Sequence, residues 1–171
     1  MSDNIFKIDS NAPDPAIIAK AGDIITGGGV LVFPTQSLYG LGVNALDENA
    51  VNRIFEIKER PPEKPLLVLI NSMTELDSLV REIPTAARRI MNAFWPGSVT
   101  LVFSARHELP RNLTAGTGKI GIRLPLHPVA RELVRLAGTP VTGTSANISG
   151  QAGCSQTNLL PPPVRSRVDM I

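Results

Sequence analysis

Apolar residues along the chain fall into two kinds of pattern. Val30-Leu31-Val32-Phe33 and Leu66 to Ile70 are unbroken apolar runs rich in β-branched residues, the pattern of strands buried on both faces. Val99 to Phe103 and Lys119 to Leu124 read as two further strands, and Pro140 to Thr144 as a last short one. Elsewhere the apolar positions recur every three or four residues. Val51, Ile54, Phe55 and Lys58 lie on one side of a helix running from Asp47 to about Glu59, before Pro61-Pro62 breaks it. Val129, Leu133, Leu136 and Ala137 predict the core-facing side of a helix over 128–137.

Helix signals fill the remaining gaps. Asp14-Pro15 supplies a capping carboxylate and a proline at the first helical position, and Gly27-Gly28-Gly29 closes that helix, predicted over 14–27. Ser72 with Glu75 is a capping-box signature for a short helix to about Arg81, and a further helix runs from Pro84 to Phe94, stopped by Trp95-Pro96-Gly97. Strands and helices alternate without an internal repeat, which predicts an α/β fold, an open sheet covered by helices. Met1 to Ala12 and Gln151 to Ile171, the latter with Pro161-Pro162-Pro163, are polar and turn-rich and are predicted as loop or mobile tail.

Composition narrows the functional classes. A length of 171 residues suits one domain, and 43% hydrophobic with 19% charged residues excludes a disordered chain. Aromatics at 4% speak against a module that reads RNA by stacking bases, although not against phosphate binding. The net charge of +2 says little until the charges are placed. The one cysteine, Cys154, has no disulfide partner and with two histidines makes a poor zinc set, so no metal site is predicted. The polar N-terminus carries no apolar signal run, and the longest apolar stretches fall far short of the ~20 residues that span a bilayer, so a cytosolic chain without a membrane partner is expected. The sequons at Asn112 and Asn147 carry no meaning in that compartment.

Four segments carry chemistry. Pro34-Thr35-Gln36-Ser37-Leu38-Tyr39-Gly40-Leu41-Gly42 follows directly on a buried strand, and in open α/β sheets ligands bind at that end. Its glycines match a dinucleotide fingerprint only loosely, since they stand too far from the strand and the next helix starts too late. Lys58, Arg60 and Lys64 bracket two prolines that stiffen the chain, a set suited to polyphosphate; Glu56, Glu59 and Glu63 beside them would equally make a solvated ion-paired surface. Thr142 to Gly150 packs small hydroxyl and amide side chains past a strand, as a site or as an ordinary turn. Arg123, at the end of another strand and ahead of Pro125, suits a carboxylate or phosphate.

Taken with Trp95-Pro96-Gly97-x-x-Thr100, these segments stand in the order and approximate spacing of the YrdC-like family, and from Asp14 to Gly153 the chain resembles its threonylcarbamoyl-AMP synthases. The resemblance implies a single domain with a twisted open mixed sheet flanked by helices around a basic concave cavity. It also implies an enzyme that makes threonylcarbamoyl-AMP and pyrophosphate from L-threonine, bicarbonate and ATP, for N6-threonylcarbamoyladenosine in tRNA. Thr35 and Arg123 would then contact threonine; Lys58, Arg60 and Lys64 the ATP phosphates, the first two as catalytic cations; Thr100, Ser145 and Asn147 the nucleotide and reaction centre. Magnesium is expected on the polyphosphate without a visible protein ligand set, and tRNA and downstream threonylcarbamoyl-transferase proteins are the implied partners. A tRNA- or double-stranded-RNA-binding module and a carbamoyl-transfer domain of hydrogenase maturation are the competing readings. Gln36-Ser37 replaces a frequent Glu-Thr of the family, and Val168-Asp169-Met170-Ile171 reads like the start of a strand with nothing after it. A shortened domain with a poorly ordered tail is therefore expected.

Overall fold

Asp14 starts the first helix as its place before Pro15 predicts. Its carboxylate accepts the Ala16 amide at 2.8 Å, and α1 runs Pro15–Thr26 with Ile18, Ala21 and Ile25 buried. The computed structural model describes residues 4–171; Met1 to Asp3 lie outside the described residues, and from Asn4 to Ala12 the chain forms neither helix nor strand. Asp47 caps α2 (Glu48–Lys58) in the same way, accepting from Asn49 and Ala50 at 2.9 and 3.1 Å. Glu59 then takes a left-handed φ of 49° and turns the chain into the proline loop.

The signature at Ser72 gives less helix than predicted. A 3-10 turn over Met73–Glu75 leads into α3 (Leu76–Leu79), where the chain leaves the helix. Ser72 caps nothing: its hydroxyl pairs with that of Thr74, while the Glu75 carboxylate accepts the Asn71 amide at 3.2 Å. Two longer helices, α4 (Thr85–Phe94) and α5 (Pro128–Ala137), follow the prediction closely. On α5, however, Leu136 is exposed, because the buried stripe is set by Ala130, Leu133, Val134 and Ala137 at helical spacing and Leu136 falls outside it.

Seven strands form two sheets where one was predicted. β1 (Leu31–Pro34), β2 (Tyr39–Gly42) and β7 (Thr144–Ser145) pair antiparallel in the order β1-β2-β7. The second sheet has the order β4-β5-β3-β6, built from β4 (Leu101–Ser104), β5 (Lys119–Arg123), β3 (Leu67–Leu69) and β6 (Val141–Thr142). Only its β3–β5 pair is parallel. β2 is absent from the predicted strands, since two glycines in four residues depress strand propensity. Packing explains them: a Cβ on Gly42 would come within 2.7 Å of the Phe33 ring and 2.8 Å of the Thr142 carbonyl oxygen, so only glycine lets β2 lie this close to its neighbours. β6 and β7 are one stretch of chain divided at Gly143: β6 pairs with β3 and, with Pro140 before it, also bonds Val43 and Ala45 just past β2, and β7 pairs with β2 itself. The Gly143 amide donates to the Leu67 carbonyl at 2.8 Å, and a Cβ there would meet Leu69 at 2.8 Å.

The predicted C-terminal loop or mobile tail is instead docked. It carries a 3-10 turn over Thr157–Leu159 and α6 (Pro162–Arg165), and Leu160, Val164, Val168, Met170 and Ile171 are buried. Met170 bridges Leu31 in parallel: the Asp169 amide donates to Val30 and the Val32 amide to Met170, both at 2.9 Å. On the other side Ile171 exchanges backbone bonds of 2.8 Å with Asn4 and Phe6. Five apolar side chains spread among polar ones escape a reading by composition, yet they suffice to anchor the segment.

The Asp169 carboxylate ties this segment to the core, accepting the Val30 amide at 2.7 Å and Arg53 at 2.9 Å. Replacing Asp169 with alanine leaves both donors without that acceptor. Because the ion pair is partly solvated, a loss of about 1–2 kcal/mol in unfolding free energy is expected, measured by urea denaturation, and a change below about 0.3 kcal/mol would show that the carboxylate holds nothing.

Candidate active site

The turn after β1 and the end of β5 open on a common cavity of about 370 Å³. Thr35 enters it from the turn, where its hydroxyl donates to the Leu38 carbonyl and its lone pairs remain available. Arg123, the last residue of β5, enters from the other sheet. The register that sets Leu101 opposite Ile122 carries Thr100 across from Arg123, and the guanidinium donates to the Thr100 hydroxyl through Nε at 3.0 Å and a terminal nitrogen at 2.8 Å. Thr100, expected to line the nucleotide, is thus the acceptor that orients Arg123. Burial lowers the Arg123 pKa, yet a guanidinium keeps its charge throughout the physiological range.

Ser145 lines the same cavity and is fixed from behind by Lys58. Lys58 ends α2, as its helical spacing predicts, and is 1% exposed, so its ammonium does not reach out from the proline loop. Its ammonium donates to the carbonyls of Ser145 and Asn147, the latter at 2.8 Å, and to Asn147 Oδ1 at 3.1 Å. The Ser145 hydroxyl donates to that same Oδ1, and Asn147 Nδ2 donates to the carbonyls of Ile148 and Gln151 at 2.9 and 2.6 Å. Burial first, and the charge of Arg60 second, lower the Lys58 pKa from 10.5 to about 8.

The three expected phosphate cations do not converge as one open grip. Arg60 donates through Nε to the Lys64 carbonyl at 3.0 Å and through a terminal nitrogen to that of Pro65 at 2.8 Å, which locks the proline loop. It borders a separate opening of about 410 Å³ with Phe55, Arg111 and Asn112, and burial lowers its pKa. Lys64 is exposed, and its side chain makes no hydrogen bond or ion pair among the described residues. Thr35, Arg123 and Ser145 therefore share one cavity, Thr100 and the Lys58–Asn147 cluster support it, and Arg60 with Lys64 stands on the adjoining loop.

Two polar lining residues escaped the sequence reading, Ser98 and His127, while Tyr39 stood within the first chemical segment without a role. His127 had a legible signal, a polar ring between the Arg123-x-Pro125 strand end and the proline that opens α5. Among the described residues no group of three or more His, Cys, Asp or Glu side chains is placed to hold a metal ion. No helix among them is long and apolar enough to cross a membrane.

A family model described as telomere recombination, Sua5/YciO/YrdC, matches residues 23–171. A threonylcarbamoyl-AMP synthase of Pyrococcus abyssi is 45% identical over 134 residues, 78% of this chain and 39% of the relative. One from Klebsiella pneumoniae is 35% identical over 152 residues, 88% of this chain and 80% of the relative. The crystal structure of P. abyssi Sua5 complexed with L-threonine matches with a TM-score of 0.93 and 37% identity, over 98% of this chain and 49% of that one. The chain thus spans 39% and 40% of the Pyrococcus synthase and a Bacillus subtilis one.

Proposed function

The chain belongs to the Sua5/YciO/YrdC family, and from that premise we propose that it is a threonylcarbamoyl-AMP synthase domain. It would join L-threonine, bicarbonate and ATP into threonylcarbamoyl-AMP with release of pyrophosphate, in the cytosol, ahead of proteins that transfer the threonylcarbamoyl group to tRNA. The observation that carries the reading is the cavity shared by Thr35, Ser145 and a guanidinium already oriented by Thr100. Arg123 suits the threonine carboxylate through its planar fork, and the free lone pairs of Thr35 suit the substrate hydroxyl.

Once the amino nitrogen has been carboxylated, a carbamate oxygen attacks the α-phosphorus and pyrophosphate leaves. No nucleophilic side chain is needed. The protein's part is to position the two substrates and to place positive charge where negative charge gathers. Lys58 serves by holding the turn that presents Ser145, while Arg60 and the exposed Lys64 supply cations beside the polyphosphate. Magnesium would ride on the nucleotide's own phosphate oxygens.

Thermal unfolding with ATP, with L-threonine and with both tests the reading. A ternary site predicts that each ligand enlarges the gain from the other, with about 2.7 kcal/mol for a ligand at a hundred times its Kd. Binding that ignores threonine and weakens log-linearly with salt would instead identify an RNA-binding module.

A further inference from the structure

We propose that His127 is a second carboxylate-binding residue of this cavity, its Nε2–H donating to the group that Arg123 holds. The inference rests on the synthase reading and adds a residue to it. His127 precedes α5 with extended backbone (φ −60°, ψ 127°), and its side chain does not cap the helix. The ring instead lines the cavity with Arg123 and Ser145. Nδ1 is buried without a hydrogen-bond partner among the described residues, so the ring's open edge is the one that carries Nε2.

The proton's place follows from these surroundings. A buried N–H with no acceptor is costly, and the positive end of α5 favours a lone pair over an N–H at Nδ1. Burial lowers the pKa of the ring, and the titratable groups that share its cavity, Arg123 of β5 and Tyr39 of β2, include no carboxylate to favour an imidazolium. The neutral ring therefore carries its proton on Nε2 and is a donor, where a base would need a lone pair. A guanidinium fork and an imidazole N–H in one cavity are complementary to an anion with two oxygens. The donor count also matters at α5 itself, whose first residue is Pro128 and has no N–H to offer.

Titrating L-threonine and L-threoninamide in the presence of ATP into wild type, His127→Ala, His127→Gln and His127→Asn tests the assignment. Alanine is expected to weaken threonine about tenfold and threoninamide, whose uncharged carbonyl is the poorer acceptor, by less than about threefold. Glutamine, whose amide nitrogen reaches the Nε2 position, should restore most of the affinity, whereas asparagine, reaching only as far as Nδ1, should not. Equal losses for both ligands, or rescue by asparagine rather than glutamine, would overturn the contact while leaving the synthase reading intact. Failure of wild type to bind threonine would overturn both. Ligand-free melting of each variant guards against misfolding, and the glutamine variant alone suffices if alanine does not fold.

Discussion

Lys58→Met is expected to remove the proposed synthase activity and to lower the unfolding free energy by about 2–4 kcal/mol. Methionine fills nearly the same space, so packing is kept. What is lost is the donor to three oxygens, the Ser145 and Asn147 carbonyls and the Asn147 amide oxygen. The Asn147 carbonyl is left without a donor, at a cost of about 1–3 kcal/mol, while the Ser145 carbonyl keeps the Asn147 amide at 3.0 Å and Oδ1 keeps the Ser145 hydroxyl. The loss of their charge-assisted bonds adds to that cost, which is partly offset because a buried ammonium no longer has to be desolvated. For a chain of this size the melting temperature should fall by roughly 4–16 °C. The turn that presents Ser145 loses its anchor, and a displacement of about 1 Å at a site that works by positioning is enough for a hundredfold loss in rate. Calorimetry and pyrophosphate release measure the two effects; an active variant with unchanged melting would show that the ammonium is dispensable.

The same lysine predicts a divergence with pH. Its pKa is about 8 in the folded protein against 10.5 for the ordinary side chain, lowered by burial and then by Arg60. Between these values the folded state binds fewer protons than the unfolded one. Stability contributed by this group therefore rises with pH, and the stability difference between wild type and Lys58→Met should grow from pH 8 to 10. Activity should move the other way, falling above about pH 8 as the neutral amine gives up one of its three donors. Parallel decline of activity and stability would separate the pH effect from Lys58.

Arg123→Lys is the second large effect, on ligand binding. An ammonium keeps the charge but loses both the fork for a carboxylate and the paired donation to Thr100 at 3.0 and 2.8 Å that fixes the guanidinium. Threonine affinity is expected to fall about ten- to a hundredfold, and ATP affinity by less than threefold. Calorimetric titration of each ligand distinguishes the roles. Comparable losses for both would move Arg123 from the amino acid to the nucleotide.

Local punctuation explains why so much of this was legible. Asp14-Pro15 and Asp47 start helices with their own side chains, and Gly27 and Glu59 end them, so these boundaries depend on nearby residues alone. β2 was hidden because its glycines answer to Phe33 and to a strand a hundred residues on, and the C-terminal segment because its partners are Leu31 and Asn4 at the other end of the chain. The candidate cavity divides on the same line. Thr35, Arg123 and Ser145 could be singled out by residue type at strand ends, whereas the roles of Thr100 and Lys58 are set by cross-strand register and burial. The burial of Lys58 is nevertheless legible, because it shares the helical spacing of Val51 and Ile54 that faces the core.

The passage of one strand between two sheets at Gly143 has a mechanical consequence. Ser145 belongs to the first sheet and Arg123 to the second, and the chain passes from one sheet to the other at Gly143, beside the Thr142 amide that donates to the Val43 carbonyl at 2.9 Å. The spacing of these two cavity walls is therefore set where the sheets meet, at Gly143 and at the Val43–Thr142 pairing. A side chain at Gly143 would push against Leu69, which lines the same cavity, and so change the width between Ser145 and Arg123 from within the wall.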